Sequence, residues 1–175
     1  MIDYPALARR VIEIEIGELQ RLLERTGAEF TAAVEALRVA ADAGRKIIVC
    51  GVGKSGLIAA KLAATLTSTG APAVVMNVQD ALHGDLGIVN DGDVLIVMSA
   101  SGETDEILNL LPHLRRRQSV LISITGGRES SLAKAADPDR LSTYKLWRTE
   151  TIHVIKPDSK IIDEMIAFCA SFSLA

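Results

Sequence analysis

The chain has 175 residues, 49% of them hydrophobic, so a single domain can bury a full core without disulfides or a structural metal. Its 19 basic and 22 acidic residues give a net charge of −3, which offers no basic footprint for nucleic acid and predicts no strong attraction to a membrane. The N-terminal residues lack the apolar stretch of a signal peptide, and no apolar run is long enough to span a membrane. We therefore expect a cytoplasmic protein whose partners are small molecules or further copies of the chain.

The first predicted element is a helical arm. Apolar residues recur at helical spacing over residues 5–43, and Gly27 predicts a break in this arm. Strands and helices then alternate. The predicted strands lie at 46–51, 73–78, 93–99 and 119–126, with a further strand at 141–147 or 151–155. The predicted helices lie at about 55–68, 103–117 and 130–136, with a last helix after Pro157 and a loop at ALHGDLG.

The predicted strands are short, continuous runs of valine and isoleucine rather than alternating runs. Strands that are buried on both faces have this pattern. The sequence therefore predicts a three-layer α/β/α sandwich around a five-stranded parallel sheet with the flavodoxin-like order 2-1-3-4-5. We treat residues 1–175 as one domain, made of the arm (1–44), a core (45–137) and a C-terminal part (138–175).

The stretch GVGKSG, residues 51–56, joins the first strand to the next helix. An ATP-binding loop would need a glycine where Ile48 stands. A dinucleotide site would need an acid where Asn77 stands, at the end of the second strand, and Asp80 lies beyond that place. What remains is an anion cradle, because glycines admit close backbone approach and a helix N-terminus presents free N–H groups. Lys54 and Ser55 add a positive charge and a hydroxyl donor.

A second loop of the same kind follows the third strand. In SASGETDE the hydroxyls of Ser99, Ser101 and Thr104 surround Gly102 at the start of a helix. In the predicted strand order the two loops flank one crevice, which favours a shared phosphate site. The alternative is structural: these hydroxyls cap the helix, and Lys54 is a solvated side chain.

Candidate proton carriers lie beside the predicted phosphate site. Glu103, Asp105 and Glu106 open the same helix, and His83 lies in ALHGDLG. Carboxylates in the first turn of a helix also interact with its dipole, so their position alone does not make them catalytic.

Five stretches in order, GVGKSG, KLAATLTSTGAP, ALHGDLGIV, SASGETDEILNLLP and ITGGRESSLAKAAD, resemble the sugar isomerase (SIS) domain. They are most similar to the arabinose-5-phosphate isomerases of bacterial Kdo (lipopolysaccharide) synthesis. The resemblance implies interconversion of D-ribulose 5-phosphate and D-arabinose 5-phosphate through an enediol, without a nucleotide or redox cofactor.

The resemblance also implies roles for individual residues. Lys54 and Glu106 would be catalytic, and Glu150 would stand in for a second catalytic glutamate. His83 would contact the sugar, and Gly102 would let the backbone come close. The phosphate would be held by Gly53, Ser55, Ser99, Ser101 and Thr104.

Beyond Asp137 the sequence departs from the family pattern. It lacks the family's Ser-His-Pro-Gly-Gly segment and its pair of CBS domains. Two other interpretations therefore stay open: a sugar-phosphate-binding module without full catalytic machinery, and a truncated isomerase.

No metal site is predicted. Asn77 stands where several relatives have a histidine that can bind a metal, and Cys50 and Cys169 lack metal-ligand spacing. We expect two reduced core thiols, no cofactor and no metal. The apolar stripe of the arm is wider than one sheet face needs, which predicts a homo-oligomer, a tetramer with active sites near subunit interfaces.

Overall fold

The computed structural model describes residues 3–114, 119–136 and 143–147. Two helices precede the sheet, α1 (Tyr4–Arg25) and α2 (Ala28–Asp42). The side chain of Asp3 caps α1 by accepting a hydrogen bond from the N–H of Ala6 at 3.0 Å. The two helices are separated at Gly27, so the predicted break in the arm is confirmed.

The remaining elements alternate between strand and helix. They are β1 (Ile47–Gly51), α3 (Lys54–Ser68), β2 (Ala73–Val75), α4 (Val78–Ala81), a 3₁₀ turn (Asp85–Ile88), β3 (Val94–Ser99), α5 (Asp105–Leu114), β4 (Val120–Thr125), α6 (Ser131–Ala135) and β5 (Thr143–Trp147). All strand pairs are parallel, in the order β2-β1-β3-β4-β5. The predicted α/β class and the order of the first four strands are confirmed, and β5 adds to the sheet beside β4.

Each face of the sheet is covered by a separate apolar layer. On one face, Ala33 and Ala40 of α2 and Ala59 and Ala63 of α3 pack on the sheet; small residues on these helices let them lie close to the strands. On the other face, side chains from α4, α5 and α6 pack against Ile48, Leu95 and Leu121, among others. The central strands are therefore buried on both sides, as their continuous apolar runs predicted.

One predicted strand is too long. Residues 73–78 were expected to form a strand, but β2 ends at Val75. The side chain of Asn77 accepts a hydrogen bond from the N–H of Gln79 at 3.0 Å and so begins α4. The stretch ALHGDLG, predicted as a loop, includes the end of α4 and most of the 3₁₀ turn.

Helix α5 is also shorter at its start than the predicted span of 103–117. Glu103 and Thr104 precede it, and the carbonyl of Thr104 accepts from the N–H groups of Ile107 and Leu108. Residues 115–118 and the predicted last helix lie outside the described residues.

The amino ends of β1 and β3 are joined through one buried carboxylate. Asp93, 1% exposed, accepts hydrogen bonds from the N–H groups of Asn90 (2.8 Å) and Lys46 (2.9 Å), and the Lys46 ammonium lies 3.0 Å away. Burial alone would raise the pKa of Asp93, but these donors together hold it below its usual value. These contacts satisfy polar groups at the amino ends of the strands, the opposite end of the sheet from the glycine loops.

Helix α1 is almost entirely exposed. None of the α1 side chains that the structure describes is buried, and the exposed ones include Val11 (53%), Leu19 (63%) and Leu23 (75%). Within the described part of the chain, no helix combines the length and the apolar character that a membrane span requires.

Candidate functional site

The carboxyl ends of β1, β3 and β4 lie side by side. Gly51 at the end of β1 is paired with Met98, and Ser99 at the end of β3 is paired with Thr125 at the end of β4. The loops that follow these strands therefore start at one edge of the sheet, the edge where parallel α/β folds bind ligands.

The turn between β1 and α3 depends on its glycines. A Cβ on Gly51 would lie 2.8 Å from the Ser55 carbonyl carbon and 3.0 Å from the Met98 oxygen, and one on Gly56 would lie 2.9 Å from the Gly51 oxygen. Gly53 has a φ of 58°, a left-handed conformation that favours glycine. These glycines allow α3 to begin directly against the ends of two strands.

The N-terminus of α3 is open to an anion. Its N-cap is Gly53, which has no side chain to accept from the first N–H groups, whereas side chains cap α1, α4 and α6. Lys54 is exposed and Ser55 half-buried at the same helix end. The helix dipole, the ammonium and the hydroxyl together favour a negatively charged group here.

The loop between β3 and α5 folds on its own hydroxyls. Ser99 Oγ accepts from the N–H of Gly102 at 3.0 Å and lies 2.8 Å from Thr104 Oγ1. Ser101 Oγ accepts from the N–H of Glu103 at 3.1 Å. These bonds give the hydroxyls a structural role inside the loop, but none of the three is to an N–H of α5, so the helix-capping alternative stays a prediction. Because the Ser101 hydroxyl is the acceptor in its bond to Glu103 and is exposed, its own proton remains able to be donated to a ligand.

Gly102 also meets a packing requirement that was not predicted from the sequence. It is buried with a φ of 70°, and a Cβ there would lie 2.1 Å from Ser130 Oγ and 2.7 Å from Thr125 Oγ1. The close approach at Gly102 is thus to the loop after β4. Sequence reasoning did not include Thr125 or Ser130 in the site, although the Gly126-Gly127 pair after a buried strand signals a close backbone approach.

The candidate proton carriers are placed differently from one another. Glu103 Oε1 accepts from the N–H of Ser131 at 2.7 Å. This N–H and the Ser131 hydroxyl have the largest effects and lower the pKa of Glu103. Burial opposes them with a smaller effect, and the nearby Lys134 lowers the pKa by a still smaller amount. Asp105 and Glu106 are exposed in the first turn of α5.

Two other predicted site residues, His83 and Glu150, lie outside these loops. His83 is exposed just after α4, where its N–H donates to the Asp80 carbonyl at 2.9 Å, and α4 packs in the same core as α5. Glu150 lies outside the described residues. Among the residues that the structure describes, no group of three or more His, Cys, Asp or Glu side chains is arranged to hold a metal.

A glycine-started helix and a hydroxyl-rich loop at the switch point of a parallel α/β sheet are features common among α/β domains that bind phosphorylated ligands. A family model described as "SIS domain" matches residues 41–145. The chain belongs to the SIS domain family.

Similar proteins support this membership. The arabinose 5-phosphate isomerase KdsD of Pseudomonas aeruginosa is 44% identical over 136 residues, which are 78% of this chain and 41% of that protein. This chain thus spans well under half of that relative. A solved protein of Escherichia coli CFT073 in complex with A5P is 35% identical, with a TM-score of 0.67 over 86% of this chain and 77% of the other. The sugar isomerase domain of an RpiR transcription factor from Sphaerobacter thermophilus, 22% identical over 83% of this chain and 76% of the other with a TM-score of 0.65, shares the fold.

Proposed function

We propose that the protein is a sugar-phosphate aldose–ketose isomerase that interconverts D-ribulose 5-phosphate and D-arabinose 5-phosphate, as in bacterial Kdo synthesis. The observation that carries this proposal is the placement of two anion-favouring loops at the paired ends of β1 and β3, with Glu106 at the start of the helix that follows the second loop. The identity to KdsD and the likeness to a protein solved with A5P support this choice of sugar.

The phosphate group would lie between the two loops. Backbone N–H groups after Gly53, the Ser55 hydroxyl and the positive end of α3 would meet its negative oxygens. The Ser101 hydroxyl would donate from the opposite loop, while Ser99 and Thr104 hold that loop in shape. This arrangement fixes the sugar by its phosphate and leaves C1 and C2 toward the exposed side chains.

The reaction moves a proton between C1 and C2 through an enediol. Lys54 would supply positive charge that stabilises the developing enediolate, and Glu106 would carry a proton between carbon or hydroxyl positions. Glu150 would be the second carboxylate and His83 a contact to the sugar, both on the strength of the family resemblance. No cofactor is needed, because the hydrogen leaves and returns as a proton.

The protein would act as a homo-oligomer, a tetramer. The wide exposed apolar surface of α1 supports this part of the proposal, because an apolar helix surface of this extent is usually covered by another chain. In such a tetramer the active sites would lie near the subunit interfaces.

Isomerisation of D-ribulose 5-phosphate, followed by NMR for the appearance of D-arabinose 5-phosphate, tests the proposal. We expect turnover by the wild type and a loss of turnover rate by roughly 100-fold or more for both Lys54→Ala and Glu106→Gln. Matched controls are Lys61→Ala, an exposed lysine farther along α3, and Glu29→Gln, a first-turn carboxylate of α2. Both controls should keep wild-type turnover.

The same experiment separates the alternative function. A wild type that binds arabinose 5-phosphate without turnover would identify a sugar-phosphate-binding module. Absence of both binding and turnover would refute the proposed site.

A further inference from the structure

The loop between β3 and α5, residues 99–104, is tied closely to residues 126–132. The N–H of Gly126 donates to the Ala100 carbonyl at 3.0 Å, and the N–H of Leu132 donates to the Gly102 carbonyl at 3.1 Å. A Cβ on Gly127 would lie 2.4 Å from the Ser101 carbonyl oxygen. The N–H of Ser131 donates to the carboxylate of Glu103. The two segments therefore support each other.

Of the hydrogen bonds just described between the two segments, the one to Glu103 involves a side chain. Its carboxylate reaches across 28 residues of sequence to the Ser131 N–H at 2.7 Å, and the loop has no large hydrophobic side chain that could hold it instead. Its own N–H donates to Ser101 Oγ at 3.1 Å, so backbone and side chain of one residue join the Ser101 hydroxyl to the start of α6.

We propose that Glu103 is a positioning residue, which holds the Ser101 hydroxyl and the β3–α5 loop in the conformation that binds the phosphate. It does so through its bond to the Ser131 N–H and does not carry a proton in the reaction. This inference rests on the proposed function, and it gives Glu103, one of the candidate proton carriers in the sequence, a structural role instead. Because the Ser131 donors and Lys134 favour its charged form and lower its pKa, a carboxylate at this position is a weaker base than an ordinary glutamate.

The role makes a specific kinetic prediction. Glu103→Ala should raise KM for D-ribulose 5-phosphate about tenfold while kcat changes by less than about a factor of two, because binding is impaired and proton transfer is not. Glu103→Gln keeps an oxygen acceptor for the Ser131 N–H and should restore KM to within about twofold of the wild type. The control is Glu129→Ala, which removes an exposed carboxylate from the same segment and should change neither constant.

A second measurement does not depend on activity. Hydrogen exchange of peptides covering residues 99–104 and 126–132, read by mass spectrometry, should become faster in Glu103→Ala and remain at the wild-type rate in Glu103→Gln. If the wild type shows no turnover but the exchange pattern is as expected, the isomerase proposal fails and the positioning role stands. Unchanged exchange in Glu103→Ala, or a roughly 100-fold slower turnover in Glu103→Gln, would overturn the positioning role.

Discussion

Gly102→Ala should be among the most destabilising single-methyl changes in this protein. The new Cβ would lie 2.1 Å from Ser130 Oγ, 2.5 Å from Ser130 Cβ and 2.7 Å from Thr125 Oγ1, and both of these neighbours are buried. Neither can move away freely, since Ser130 Oγ accepts from the N–H of Ala133 and Thr125 Oγ1 accepts from the N–H of Gly127. The clash should cost roughly 1–3 kcal/mol as an overpacked site, in addition to about 1–2 kcal/mol for a left-handed alanine.

The matched control for this prediction is Gly44→Ala. Gly44 has nearly the same φ, 67°, but a Cβ there meets nothing within 4 Å, so only the backbone strain of about 1–2 kcal/mol applies. In thermal unfolding, Gly102→Ala should lower Tm by roughly 5 to 15 °C and Gly44→Ala by a few degrees, about 2–4 °C for each kcal/mol in a chain of this size. If Gly102→Ala lowers Tm no more than Gly44→Ala, the packing of the two loops described above is wrong.

Three further predictions concern other parts of the molecule. Asp93→Asn should reduce the free energy of unfolding by roughly 1–3 kcal/mol at pH 7. Because the folded pKa of Asp93 is lowered, its contribution is present above the unfolded aspartate value of about 3.9 and is lost as the pH falls through the folded value. The stabilities of wild type and variant in urea titrations should therefore converge as the pH falls below about 3.9. Burial raises the pKa of the Cys50 thiol to about 12, so in a Cys169→Ala background Cys50 should react with a thiol reagent only after denaturant is added, and rapid native labelling would contradict its burial. Finally, the double variant Val11→Asp/Leu23→Asp should lower the mass seen in sedimentation, whereas Ile88→Asp, outside α1, should not; a wild-type monomer at micromolar concentration would refute the proposed oligomer.

The sheet could be predicted from the sequence because its signals are local. Runs such as Ile47–Gly51 and Val94–Ser99 are continuous and apolar, and each is followed by glycine or serine and then a helical pattern. The errors lie where a local polar signal competes with an apolar run. Asn77 follows AVVM and looks like the end of a strand, but its side chain caps a helix, and this stops β2 three residues earlier than predicted.

The candidate site could be predicted only in part, because some of its contacts join stretches that are far apart in the sequence. The composition of the two loops and their place at the ends of β1 and β3 follow from motif and topology. The contact of Glu103 with Ser131 joins residues 28 apart, and the packing of Gly102 against Thr125 and Ser130 depends on a third loop. No pattern within either stretch specifies such a contact, so Glu103 looked equivalent to its acidic neighbours in sequence.

The two edges of the sheet differ in a way that bears on where a ligand binds. At the amino edge, Asp93 satisfies the N–H groups of Lys46 and Asn90 from within the chain, and the lysine charge is neutralised in the same contact. At the carboxyl edge, α3 starts after Gly53 with no side chain to accept from its first N–H groups, and the Lys54 charge is exposed. Because an uncapped helix end beside a strand is normally satisfied by water or by a ligand, the polar groups left open at the carboxyl edge are those that a sugar phosphate would satisfy. Substitutions at Asp93 should therefore change stability more than ligand affinity, and substitutions at Lys54 should do the reverse.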